Sequence, residues 1–194
     1  MKIGLLGGSF NPAHAGHLHI SEQALKRLRL DQVWWLVSPQ NPLKKRDDMA
    51  QYSQRIASAR HFTDNNCTLE ICEIEQENGL QYTADTLELL TQTHPQHQFV
   101  WLMGSDNLAQ FHRWHKWRNI LKLLPICVMD RAPHSHGALR SPAALTYAHA
   151  RIPQQEATTL LEAPAPRWIY LFIPRHPESA TRLRKTIGKQ AFLR

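Results

Sequence analysis

No stretch of this 194-residue sequence is apolar for long enough to span a membrane, which takes about 20 consecutive residues. Met1-Lys2-Ile3 leads straight into a strand-like segment, so a cleaved leader peptide is not expected. Cysteine is scarce. Cys67, Cys72 and Cys127 are odd in number and form no Cys-x-x-Cys pair, which argues against a disulfide framework and for free thiols in a reducing cytoplasm. Internal repeats and long tracts of like charge are absent. Acidic residues are the minority, 16 against 23 Lys and Arg, and the net charge of +7 favours anionic partners. Small phosphorylated substrates meet that electrostatic demand as well as nucleic acid does. The length suits one domain over residues 1–194 with a proper core.

Two common phosphate-binding patterns are also missing. There is no P-loop ending in Gly-Lys-Ser/Thr, and no spaced-glycine dinucleotide fingerprint. In their place stands GLLGGSFNPAHAGHLHI, Gly4 to Ile20. Ile3, Leu5 and Leu6 begin a buried strand, Gly7, Gly8 and Ser9 are expected to break it, and a helix is expected from about Gly16. Strand, Gly-rich turn and helix together point unpaired backbone N–H groups at an anion. Glycines at 7 and 8 would let backbone and ligand approach closely.

His14-Ala15-Gly16-His17 occupies the place of a P-loop lysine. Imidazoles three residues apart can donate to one phosphate and stabilise charge developing on it without forming a covalent bond. A helix start that merely contains histidines is the plain alternative. Zinc is another, because His19 extends the run to His-x-x-His-x-His. However, His19 should point away from His17 on a helix, and no further ligand is adjacent.

The remaining chain reads as alternating helices and strands. The first helix places Leu18, Ser21, Ala24, Leu25 and Leu28 on one face, and residues 33–37 form a continuous apolar strand. Two prolines keep residues 38–46 irregular, and Lys44, Lys45 and Arg46 make that loop either a phosphate grip or a solvated basic turn. A helix over 49–62 turns Tyr52, Ile56, Ala59 and Phe62 inward. Residues 69–74 read as a strand and Asn78-Gly79 as a turn. Thr83 is expected to cap a helix that buries Leu87 and Leu90, with Asp85 facing solvent or the helix dipole. A strand over 99–103 runs into Gly104-Ser105-Asp106, whose carboxylate suits a ribose or an N-cap. In Phe111-His112-Arg113-Trp114-His115-Lys116-Trp117 an indole either packs on helices or walls a flat ligand ring. Strands are expected over 123–129 and 168–173, with an irregular excursion at about 131–167 between them. Residues 177–185 offer hydroxyls and an arginine at a helix start, a second anion cradle.

GGSFNPAHAGHL resembles the GG(T/S)F(D/N)PxHxGHL signature of the HxGH nucleotidyltransferase superfamily. Tyr82-Thr83-x-x-Thr86-Leu87, Gly104-x-Asp106-x-Leu108 and Phe111-x-x-Trp114, in this order, are similar to the bacterial nicotinate-nucleotide adenylyltransferases. The resemblance implies a doubly wound α/β, Rossmann-like fold and transfer of AMP from ATP to nicotinate mononucleotide. By the same resemblance His14 and His17 are catalytic, and Gly7, Gly8, Ser9, Phe10, Gly104 and Asp106 bind ATP. Residues 178–184 look like the family's I-S-S/A-T-x-I-R motif, which places Ser179, Thr181 and Arg184 on the triphosphate. Glu178 and Leu183 depart from that motif at its isoleucines. Lys44, Thr83, Trp114 and His115 fall on the nicotinate mononucleotide, with the tryptophan stacked on the pyridine. Mg²⁺ is expected to arrive with ATP rather than on a protein site, since no Asp pair is placed to cage it. Nucleic acid and membrane are not expected partners, and a homo-oligomer is compatible with the sequence. Two rivals stay open: a phosphopantetheine adenylyltransferase, which leaves the Tyr-Thr and Phe-x-x-Trp segments without a role, and a non-catalytic module that binds nucleotide or nucleic acid.

Overall fold

Apolar runs without polar alternation make strands covered on both faces, and five such segments with two more polar edge segments pair in parallel in the computed structural model, which describes residues 1–39, 49–130, 135–174, 176 and 183. The strands are β1 (Lys2–Gly8), β2 (Gln32–Val37), β3 (Leu69–Cys72), β4 (Gln98–Gly104), β5 (Ile126–Met129), β6 (Arg151–Ile152) and β7 (Trp168–Leu171). Their spatial order is β3-β2-β1-β4-β5-β7-β6. Helices α1 (Ala15–Leu28), α2 (Tyr52–Thr63), α3 (Ile74–Glu77), α4 (Thr83–Thr93), α5 (Ser105–Gln110), α6 (Trp117–Leu123), α7 (Ser135–Ala138) and α8 (Pro142–Thr146) connect them.

Side chains alternate across each strand and so divide between two cores. One holds Ile3, Leu5, Trp34, Phe99 and Trp101 under Leu87 and Leu90 of α4 and Ile120 of α6. The other holds Leu6, Val33, Trp35, Val100 and Leu102 under Ala24 and Leu28 of α1 and Ile56 and Ala59 of α2. The expected α/β, doubly wound parallel sheet is therefore present. The chain runs outward from β1 to β2 and β3, then returns to β4 on the other side of β1. That reversal opens a crevice at the carboxyl ends of β1 and β4, where such sheets bind ligands.

Several local readings change. Gly7 and Gly8 do not break the strand; they are its last two residues, paired with Leu36 and Val37. A Cβ at Gly7 would run into the Trp101 ring, so this glycine is needed for packing against β4. The third strand ends at Cys72, because residues from Ile74 coil into α3. The fifth begins at Ile126, since Leu123 still belongs to α6. The excursion at 131–167 is more ordered than expected: it contributes α7, α8, 3₁₀ turns and the edge strand β6, and it buries Ala143, Ala144, Leu160 and Leu161. Its short apolar pieces carry little periodicity, which is why the sequence reads as irregular there.

Gly7→Ala is expected to destabilise the fold by about 1–3 kcal/mol, because a methyl group is forced into a filled core. Chemical denaturation of the purified variant measures this, and an unchanged midpoint would mean that Trp101 has room to move.

Candidate active site

The start of α1 is built by its own histidines. His14, extended at φ −158°, is the N-cap, and its Nδ1 accepts the Gly16 N–H at 3.0 Å. His17 reaches back so that its Nδ1 accepts the His14 N–H at 3.2 Å. This is a capping box with imidazoles in the places usually taken by Ser/Thr and Glu. A neutral imidazole that accepts at Nδ1 carries its proton on Nε2, an assignment that follows from the bonding pattern. Donation to a ligand therefore falls to Nε2 in each ring, not to either nitrogen indifferently. The two ring centroids lie 3.9 Å apart, tilted by 36°. His19 is elsewhere, its Nε2 2.7 Å from the Pro174 carbonyl.

The turn before α1 is held from beneath. Phe10 adopts φ +43°, a left-handed conformation costly for an aromatic residue. Its ring compensates by burial, stacked at 19° on Trp35 and 4.6 Å from the His17 ring. The Phe10 side chain is thus closed to a nucleotide. Ser9 is buried as well, and Gly8 continues the ladder by accepting the Ser38 N–H at 2.9 Å. Across the crevice Gly104 ends β4 as the N-cap of α5, with Ser105 buried and Asp106 in the first helical turn.

A second cluster assembles on the face carrying α4. Thr83 is not the cap of that helix but its first residue; Tyr82 holds the N-cap position and makes no side-chain cap bond. The turn at Trp114 to Lys116 folds against this helix start. The His115 ring sits 4.4 Å from the Tyr82 ring, and Lys116 Nζ donates to Asp85 Oδ1 at 3.0 Å. Asp85 lies in the first turn of α4 with its side chain partly exposed, as expected, and there it also forms this ion pair. Hydrogen bonding to Asp85 in turn raises the Lys116 pKa. Trp114 is half-buried, meeting Trp101 and Phe111 at steep angles of 78° and 69°. The start of α4 at Tyr82–Asp85 and the turn at His115–Lys116 are thus brought together, and Trp114 is linked through Trp101 to Gly7 at the end of β1.

Sequence reasoning missed the polar residues of α2 and α3. Arg55 is 1% exposed, and its guanidinium donates to four carbonyls: Ser9 at 2.7 Å, Ser38 at 2.6 Å, Pro39 at 2.8 Å and Ala50 at 3.2 Å. Burial lowers its pKa, yet arginine stays protonated in proteins. Ser58, one turn on, accepts the Ala13 N–H at 2.8 Å. Buried Glu75 takes hydrogen bonds from Thr86 and Ser38, which partly offset the upward push of burial on its pKa. The signal was present: Arg55 lies on the helical face shared by Tyr52, Ile56 and Ala59, where a charge must find partners.

Lys44, Ser179, Thr181 and Arg184 lie outside the described residues. Among the described residues no three His, Cys, Asp or Glu side chains are grouped to hold a metal ion. Cys67, Cys72 and Cys127 are free thiols. No helix among the described residues is long and apolar enough to cross a membrane.

Known proteins resemble this chain in sequence and in fold. The sequence profile of the cytidylyltransferase-like family matches residues 5–186. A Methylorubrum extorquens protein named "Probable nicotinate-nucleotide adenylyltransferase" is 48% identical over 95% of this chain and 99% of its own length. One of the same name from a Bradyrhizobium species is 47% identical over 97% of each chain. In three dimensions, the Plasmodium falciparum nicotinic acid mononucleotide adenylyltransferase complexed with NaAD superposes with a TM-score of 0.72 over 97% of this chain and 85% of its own. At 16% identity that likeness speaks for the fold alone. On the extent and identity of these matches, the chain belongs to the cytidylyltransferase-like family and, within it, to the nicotinate-nucleotide adenylyltransferases.

Proposed function

We propose that the protein transfers AMP from ATP to nicotinate mononucleotide, releasing pyrophosphate and forming nicotinate adenine dinucleotide. The observation that carries this reading is the pair His14 and His17, whose imidazoles meet at the start of α1, beside the crevice between β1 and β4. Relatives at 47–48% identity bear the name of that activity. An oxygen of the acceptor's 5′-phosphate attacks the α-phosphorus of ATP in line; the new P–O bond forms as the bond to the β-phosphate bridging oxygen breaks. No protein nucleophile takes part. His14 and His17 donate through Nε2 to the α-phosphoryl oxygens as charge builds there. The backbone of Gly7, Gly8, Ser9 and Phe10, with Gly104 and Asp106, receives the nucleotide, and Ser179, Thr181 and Arg184 hold the leaving pyrophosphate. ATP enters as its Mg²⁺ complex, the cation neutralising phosphate charge. Thr83, Trp114 and His115 receive the pyridine ring, and Lys44 the acceptor's phosphate. The enzyme works in the cytoplasm on these small anions, with neither nucleic acid nor membrane as partner.

The acid substrate is expected to outperform the amide. The start of α4 has no side-chain cap, so its first N–H groups and the Thr83 hydroxyl are donors suited to a carboxylate. The helix dipole adds about 0.3–1 kcal/mol, a two- to fivefold preference from this term alone. Asp85, the acidic residue that could have welcomed an amide NH₂, is occupied by Lys116. The test is pyrophosphate release from Mg·ATP with nicotinate mononucleotide, nicotinamide mononucleotide and phosphopantetheine in parallel. Equal kcat/KM for acid and amide would defeat the specificity, and turnover of phosphopantetheine alone would replace the function.

A further inference from the structure

Helix α2 and the residue just before its cap touch the histidine turn at three points. The Arg55 guanidinium binds the Ser9 carbonyl at 2.7 Å, the Ser58 hydroxyl binds the Ala13 N–H at 2.8 Å, and the Ala50 N–H donates to Asn11 Oδ1 at 3.0 Å. These contacts bracket residues 9–13, the segment that runs from the end of β1 to the N-cap His14. Arg55 binds the Ser38 and Pro39 carbonyls as well, so one rigid fork locks the exit of β1 to the exit of β2. Its positive charge pairs with no carboxylate among the described residues; carbonyl oxygens and the Tyr52 ring, whose centroid lies 5.2 Å from Cζ, surround it. A buried cation held by backbone carbonyls and one aromatic face, with no carboxylate, is an expensive way to stabilise a fold, since apolar packing of similar volume commonly does as well or better. What the planar, multi-donor guanidinium supplies in return is the relative placement of several backbone segments, which a lysine ammonium cannot reproduce.

We propose that Arg55, seconded by Ser58, is a positioning residue for the adenylyl transfer: by holding the Ser9 and Ala13 ends of the turn, it sets His14 and His17 against the α-phosphate. This rests on the function proposed above. In-line transfer tolerates little misplacement, and a shift of about 1 Å away from the chemistry can cost 10²-fold. Arg55→Lys keeps the charge and stem but not the fork, so kcat should fall about tenfold while KM for ATP and for nicotinate mononucleotide stays within twofold. Rates are taken well below the variant's own Tm, so that lost stability does not masquerade as lost rate. Arg60→Ala, on the exposed side of α2, serves as the control and should leave kcat unchanged. If Arg55→Lys does not fold, Ser58→Ala carries the test with a loss of about threefold in kcat and a Tm near that of the parent. Hydrogen exchange of the amides at residues 9–17 gives a readout independent of turnover, and those amides should exchange faster in either variant. A folded Arg55→Lys protein, or a folded Ser58→Ala protein where the first does not fold, that keeps the parent kcat and the parent exchange rates overturns the proposal. Absence of AMP transfer in the parent protein would instead sink the function, and exchange alone would then decide whether α2 orders the turn.

Discussion

His17→Ala is expected to lower kcat by about 10²–10³ while Mg·ATP binding changes by no more than severalfold, the size of effect seen when one donor to a developing oxyanion is removed. The asymmetry follows from what the imidazole touches. In the reading proposed here the triphosphate is gripped mainly at its β and γ groups by Ser179, Thr181 and Arg184, so the ground-state complex loses little. The α-phosphoryl group gains charge on its equatorial oxygens only as the acceptor approaches, and that is when the Nε2 donor matters. The capping box complicates a simple truncation, because His17 Nδ1 also accepts the His14 N–H. Its removal costs the helix start about 0.5–2 kcal/mol and frees the neighbouring ring to turn. His17→Gln separates the two roles: glutamine at this position restores the capping box but presents no imidazole to the phosphate. A glutamine variant of near-parental stability with the same loss in kcat assigns the effect to the ring. Near-parental kcat in either variant removes His17 from the chemistry.

The parts of this site legible in the sequence are those in which neighbours in the chain are neighbours in space. Strand, turn and helix from Lys2 to Leu28 form one continuous unit, and the placement of His14 before the helix and His17 within its first turn follows from spacing alone. Leu87 and Leu90 face the core as their period requires. The roles that escaped depend on distant partners. Gly7 looked like room for a ligand, yet its missing side chain is required by Trp101 on a neighbouring strand. Arg55 and Ser9 are separated by 46 positions, and nothing local announces that one will solvate the other. The cap at Thr83 moved by one residue to Tyr82, which offers no capping oxygen, and this leaves the first N–H groups of α4 for another acceptor. β6 is only Arg151–Ile152, too short for any periodic signal, and it exists because β7 supplies a partner.

Trp114→Ala is expected to raise KM for nicotinate mononucleotide by about ten- to a hundredfold, since stacking of one base-sized ring on an aromatic side chain is worth about 1–3 kcal/mol. KM for ATP should stay nearly constant. The indole is half-buried, and both Trp101 and Phe111 meet it at steep angles; among the described residues no ring lies parallel on it. Those contacts orient the ring plane without taking up the stacking geometry that a pyridinium would need. The electron-poor pyridinium of the acceptor also carries positive charge, which an indole face attracts. The same contacts mean that truncation removes packing from the core around Phe111, and a buried Trp→Ala change can cost 3–5 kcal/mol or somewhat less when half-exposed. Trp114→Phe and Trp114→Leu therefore accompany it: phenylalanine keeps a flat ring, whereas leucine keeps apolar bulk without a π face. Stacking orders the KM values for the pyridine nucleotide as Trp below Phe below Leu, independent of Tm. If KM instead tracks Tm across the three variants, or rises equally for both substrates, Trp114 is a packing residue and the pyridine lies elsewhere.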